Sequence, residues 1–302
     1  MEFSGVTLSG GYTISPYRVN TKVIFGYGIS GSTAVSLTNL VSNTGVVASD
    51  TTGIGTARYW LAGTGYGGDK AIFGYGYNGT TNTAFTNLVS NTGVVATNTA
   101  GVGIDRQKLA AAGYGIDKAI FGYGLNSSLT PLSITNLVSN TGVVGNDVAG
   151  VGTTRYDLAA AGYGYDKAIF GYGKGATNYS LTNLVSNTGV VATDTAGVGT
   201  ARYYLAAAGY GNDKAIFGYG LVSSSYSLTN LVSNTGVVAN DTTGVGTARN
   251  GLAAAGYGGD KAIFGYGNAG SMTNLVSNTG VVGNDVTGVG TARTFLAAAS
   301  FG

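Results

Sequence analysis

Six arginines and six lysines recur at matching places in this chain, and they are the residues whose type and spacing first suggest chemistry. Arg58, Arg106, Arg155, Arg202, Arg249 and Arg293 share one register, and Lys22, Lys70, Lys118, Lys167, Lys214 and Lys261 share another. Two rings of positive charge could hold anionic glycans or lipids. Each arginine, however, follows an acid or an amide by eight positions, as Arg202 follows Asp194, Arg249 follows Asp241 and Arg106 follows Asn98. That spacing suits a repeated bond that fixes a loop, so the six arginines read as structural repeat residues.

The acids offer less. There are 13, Glu2 is the only glutamate, and most are copies of one another at Asp-Lys turns or just before the arginine segment. A general acid and base need two environments that push two pKa values apart, and copied positions supply one environment. No such pair is expected. With no Cys and no His, disulfides, thiolate chemistry, imidazole catalysis and zinc sites built on those residues are excluded. Glycine-rich segments such as residues 65–70 invite a phosphate-loop reading, but no Gly-Lys-Ser/Thr follows and the segment recurs as a hairpin turn. The expectation is a non-enzyme with no catalytic, cofactor-binding or metal-binding residues.

The elements that must position these residues follow from a repeat. A Lys-x-Ile-Phe-Gly-Tyr-Gly segment begins at each of the six lysines, 47 to 49 residues apart, and Thr-Asn-Leu-Val-Ser-Asn-Thr-Gly-Val-Val follows from Thr38, Thr86, Thr135, Thr182, Thr229 and Thr273. After each arginine come Leu and a small-residue run. Short apolar runs and turn residues place four strands per copy: in one copy these are 202–210, 214–219, 228–233 and 237–241. Asn-Thr-Gly marks the last hairpin, and Thr-Gly-Val-Gly-Thr the return loop. No segment has helical periodicity.

Six four-stranded antiparallel units of this period predict an all-β, six-bladed β-propeller over residues 22–302, with residues 1–21 as an N-terminal arm. A stacked β-solenoid is the rival, with usually shorter coils and a cap at each end. The repeats start on a second strand and finish on a first strand, 293–301. Pairing the N- and C-terminal strands would close the ring and remove an open edge. Alanine runs such as 110–112 suit the crowded axis.

The order of arginine, small apolar strand, turn, apolar strand running into Gly-Tyr-Gly, third strand and turn resembles the kelch repeat over residues 22–302. It departs from kelch in replacing the Gly-Gly pair by Gly-Tyr-Gly and in lacking a tryptophan on the fourth strand; the one tryptophan is Trp60. The uniformity, the low charge (9% charged residues) and the abundance of Gly, Thr, Asn and Tyr are also similar to repetitive propellers encoded by aquatic bacteriophages. That second resemblance implies a virion or extracellular location.

The copies disagree between the second and third strands, at 77–85, 125–134, 174–181, 221–228 and 268–272. Variable loops on a rigid scaffold are where binding resides, and Tyr among Ser, Thr, Asn and Gly suits adaptable recognition. The candidate binding residues are therefore Tyr77, Asn78, Leu125, Asn126, Lys174, Tyr179, Tyr226 and Asn268. A net charge of +2 without a basic patch speaks against nucleic acid. No signal peptide and no membrane span is read from the sequence. The expected role is a binding or structural propeller, such as a phage tail or capsid-surface component, whose partner is a protein of a larger assembly or a host-surface glycan. A lectin-like propeller with repeated glycan sites is the alternative.

Overall fold

The computed structural model describes residues 20–268 and 270–302. Only Asn20 and Thr21 of the expected N-terminal arm are among them. The described chain is all-β and built from repeated three-stranded antiparallel sheets, consistent with a repetitive β-propeller-like fold.

Each copy gives a middle strand at Lys22–Gly26, Lys70–Gly74, Lys118–Gly122, Lys167–Gly171, Lys214–Gly218 or Lys261–Gly265. The third strand is Thr38–Val41, Thr86–Val89, Thr135–Val138, Thr182–Val185, Thr229–Val232 or Thr273–Val276. The first strand is Ala62–Tyr66, Ala110–Tyr114, Ala159–Tyr163, Ala206–Tyr210, Ala253–Tyr257 or Ala297–Phe301. In a typical sheet Ala206 pairs with Gly218 and Tyr210 with Lys214, while Ala215 pairs with Val232 on the other side of the middle strand. One sheet combines distant parts of the chain: Ala297–Phe301 pairs with Lys22–Gly26, Lys22 facing Phe301, and Lys22–Gly26 pairs with Thr38–Val41.

Both faces of the middle strand are covered. Successive side chains point to opposite faces, so Ile169 packs with one neighbouring sheet and Phe170 with the other. Ala-Ile-Phe is accordingly a continuous buried run, as expected of strands enclosed on both sides. The closing glycine of each middle strand lies under a phenylalanine of the next: a Cβ on Gly218 would stand 2.6 Å from Phe264 Cζ, and one on Gly265 2.6 Å from Phe25 Cζ. The repeated Phe-Gly is thus a packing requirement between copies.

Two expectations about the strands need correcting. The fourth strand is reduced to isolated bridges. Val232 bridges Val238, so a strict antiparallel register would set Thr229 opposite Asp241, yet Thr229 bridges Thr242. One extra residue bulges from the ladder, and the same offset occurs in every copy, as Val41–Val47 and Thr38–Thr51 illustrate. The Asn230 side chain enters the gap and donates to the Ala239 carbonyl and to Asp241 Oδ1. The first strand, expected from the arginine onward, begins four residues later, because Tyr204 has φ +54. Such a backbone breaks a strand.

The arginines are fully buried between copies. Arg202 stacks on the Tyr172 ring of the preceding copy, 4.5 Å from its centroid. Its Nε donates to the Tyr219 carbonyl at 2.7 Å and Nη2 to Asn230 Oδ1 at 2.7 Å. Its acid is Asp241, at 3.7 Å, not the Asp194 that precedes it; Asp194 pairs with Arg155. The eight-residue spacing therefore gives the wrong partner. Asn98 replaces the acid beside Arg58, where it bonds Asn87 and Thr56. Burial pulls each of these guanidinium pKa values down, and the neighbouring tyrosines and acids offset part of that. Burial likewise pushes Tyr172 up to about 12.

Candidate functional site: a hexad amid the variable loops

The start of each first strand pairs with the end of a middle strand, as Ala206 does with Gly218. The residues leading into the first strands and the variable loops leaving the middle strands consequently share one end of the sheets. Bridges tie the two together: Tyr59 to Tyr77, Gln107 to Leu125, Tyr156 to Lys174 and Tyr203 to Leu221.

At this end, the residue before the leucine that leads into each first strand enters a hydrogen-bonded circuit. Trp60 N–H donates to the Phe295 carbonyl, Lys108 to Trp60, Asp157 to Lys108, Tyr204 to Asp157, Gly251 to Tyr204 and Phe295 to Gly251, at 2.7 to 3.0 Å. All six have φ between +54 and +64. That region is uncommon for bulky residues and persists where surrounding structure enforces it. Here the circuit does the enforcing, since each N–H must reach the carbonyl of another copy.

The backbone of this hexad is sixfold and its side chains are not. Lys108 Nζ lies 4.3 Å from the centre of the Trp60 ring, 5.3 Å from that of Tyr204 and 5.4 Å from that of Tyr156. It donates to the Tyr204 hydroxyl at 3.1 Å and stands 3.4 Å from Asp157 Oδ2. Phe295 packs against both Trp60 and Tyr204, with centroids 5.4 and 4.8 Å away. The hexad and the leucines after it line a cavity of about 70 Å³. Asp157 is 6% exposed. Burial pushes its carboxyl up to about 7, with Lys108 acting in the opposite direction. Asp157 and Lys108 are unlike groups from different copies, brought together at equivalent positions and so outside the repetition of the other acids.

Two of the sequence-derived candidates reach this cluster. The Tyr77 ring is 5.5 Å from Tyr59 and 6.1 Å from Trp60, and Lys174 Nζ lies 4.7 Å over the Tyr203 ring, which in turn packs on Tyr204. The others serve their own loops. Asn78 Oδ1 accepts from Thr80 and Thr81, and Asn126 Oδ1 from Ser128 and Thr130, closing Asx turns. Leu125 is buried. Tyr179 lies over Gly175, the Tyr226 amide holds the Gly220 carbonyl, and Asn268 bonds Asn250 and Ser225.

No family model matches this chain, and no curated protein matches it.

The hexad itself went unnoticed at the level of sequence, although a signal was there. In a chain whose flanking Arg and Leu columns are uniform, one column reads Trp60, Lys108, Asp157, Tyr204, Gly251, Phe295. At the opposite end of the sheets, a cavity of about 220 Å³ is lined by first-strand Ala and Gly with Lys118, Lys167, Lys214 and Lys261 near it. Each of those lysines is paired with the aspartate before it, at 2.8 to 3.2 Å, so this end carries no unbalanced ring of charge. Among the described residues no group of three or more acids could hold a metal ion, and no helix is long and apolar enough to cross a membrane.

Proposed function

We propose that the chain is a closed, six-bladed, kelch-like propeller that acts as a non-enzymatic binding module, presenting the hexad and the variable loops to a partner. Six three-stranded sheets, the pairing of Lys22–Gly26 with Ala297–Phe301 and the hydrogen-bonded circuit support the closed ring. The observation that carries the function is the coincidence of the two kinds of variation. The loops that differ between copies surround the one column whose side chains all differ, on a scaffold otherwise nearly identical.

A partner that met only the uniform parts would see six equal sites. One that meets the hexad sees a single, oriented surface. This favours a component of a larger assembly, such as a phage tail or capsid surface, that contacts one protein or one host-surface glycan at a time. It disfavours the lectin reading with repeated sites, because the repeated Arg, Asn and Tyr side chains are buried between copies.

Two measurements test this reading. Mass spectrometry of purified particles should find the protein in stoichiometric amount. Labelled protein should adhere to host cells, and replacing loop 77–85 by the short loop 268–272 should weaken adhesion at least tenfold without changing the Tm. Absence from particles together with adhesion indifferent to the loop swap would overturn it.

A further inference from the structure

We propose that the hexad cavity is a single, asymmetric site for a neutral sugar ring, held by Trp60, Lys108 and Asp157. This rests on the reading of the variable-loop end as the binding end, and adds the class of ligand and the atoms that take it.

The cavity offers unused polar capacity of both signs. Trp60 Nε1 is a buried donor without a hydrogen-bond partner, and the buried Asp157 Oδ2, 3.4 Å from Lys108 Nζ, keeps acceptor capacity beyond the contacts of its carboxyl with Lys108 and Tyr204. Leaving such groups unmade is costly. A ligand hydroxyl is donor and acceptor at once, and so can give its proton to Asp157 while accepting from an indole N–H or from the Lys108 ammonium. An aliphatic or purely anionic ligand satisfies at most one of these.

The surroundings narrow the class further. Trp60, Tyr204 and Phe295 line the cavity and have intermediate exposure, leaving part of each side chain open. Ring faces of this kind pack against the C–H face of a sugar while its hydroxyls turn to polar groups. A ligand cation would have to displace Lys108, which already occupies the aromatic surroundings that recognise ammonium groups. A ligand anion would meet a lysine already balanced by Asp157. The small volume, about 70 Å³, admits the edge of one terminal residue, not a buried oligosaccharide.

The chain carries its own reporter, since Trp60 is its only tryptophan. Titration with a panel of neutral monosaccharides and their methyl glycosides should produce a saturable change in tryptophan emission for at least one member. Calorimetry with that sugar should give the same dissociation constant, weakened at least tenfold in Asp157→Asn and in Trp60→Phe. Trp60→Phe keeps an aromatic ring and removes the N–H, and Asp157→Asn keeps the shape and removes the charge; variants with the parent Tm are compared. Should either misfold, Tyr204→Phe, which removes one hydroxyl, is expected to weaken binding at least threefold. No saturable response from any neutral sugar overturns the proposal, as does equal affinity in all folded variants, or a response to choline or inorganic phosphate alone. Cell adhesion that persists while every sugar fails would overturn this inference and leave the loop-end reading standing.

Discussion

At the scale of single residues, burial decides what the charged groups do. Asp157 ionises at a cost because desolvation raises its pKa from the usual 3.8 to about 7. The folded state then binds a proton that the unfolded chain has already released, so between pH 4 and 7 the stability falls as pH rises. The hexad carboxyl contributes its full share below the unfolded value, and this is lost as pH passes the folded one. Asp50, Asp194, Asp241 and Asp285 act oppositely: hydrogen bonds from Thr and Asn overcome desolvation and hold them below the usual range, so their contribution is lost in acid. The difference between the parent and Asp157→Asn isolates the first effect. The parent's melting temperature relative to the variant's should be highest near pH 4, fall as pH rises to 7 and level off above it; parallel curves would refute the assignment. The buried arginines make a second prediction. Arg202→Lys keeps the charge and loses the fork that reaches Tyr219 O and Asn230 Oδ1 together, which should cost about 2–4 kcal/mol in urea unfolding. A change under about 0.5 kcal/mol would place this residue among tolerant surface positions.

At the scale of elements, what the sequence made legible and what it concealed divide along a physical line. The period, the middle and third strands and the hairpin turns follow from local patterns of apolar and turn residues, and they stand where the pattern puts them. The bulged fourth segment does not, because its cause is Asn230, a strand residue whose side chain reaches a backbone carbonyl nine residues on and an acid eleven residues on. Nor does the partner of each arginine, which comes from beyond the third strand of the arginine's own sheet and not from the acid nearer in sequence. The hexad was concealed for the same reason: Trp60 or Lys108 in a left-handed conformation carries no local signature, and their proximity exists only once separate copies meet. The variable loops were visible, yet of their candidate residues only Tyr77 and Lys174 lie by the hexad, since Asn78 and Asn126 spend their side chains on their own turns. The strand glycines show how closely the elements fit. A methyl on Gly218 would press on Phe264, while the same change at Gly79 would meet open space, with backbone strain at φ +98 as its only penalty. Overpacking should make Gly218→Ala lose about 1–3 kcal/mol and broaden the near-ultraviolet signal of the adjacent aromatics. Retention of the parent Tm would show that the sheets part more easily than their packing implies.

At the scale of the whole molecule, the proposed closure makes the chain's two ends one hairpin. Within the chain, Tyr210-Gly211-Asn212-Asp213-Lys214 turns a first strand into a middle strand, and at the ends Phe301-Gly302 and Asn20-Thr21-Lys22 stand in the same relation. The match extends to hydrogen bonds. Gly211 N–H donates to the Asp260 carbonyl of the next copy; Gly302 N–H donates to that of Asp69, and Gly258 N–H to the carbonyl of Thr21, which stands where the other copies have aspartate. Gly302 has φ +72, close to the +60 of Gly211. Joining Gly302 directly to Asn20 therefore recreates the internal hairpin without a linker, and opening the chain between Asn212 and Asp213 transfers the break to another copy. Such a permutant, lacking residues 1–19, should fold with a Tm within about 5 °C of the parent, a difference of one or two kcal/mol at this size. Its sugar response should be unchanged, because the hexad lies at the opposite end of the sheets. Deleting residues 297–302 instead removes the first strand of one sheet, and with it the strand that holds Phe295 in the hydrogen-bonded circuit, and should abolish the single cooperative transition. A permutant that aggregates while the truncated chain still unfolds cooperatively would mean that the terminal pairing is an accessory contact and that the ring is held by its neighbouring sheets alone.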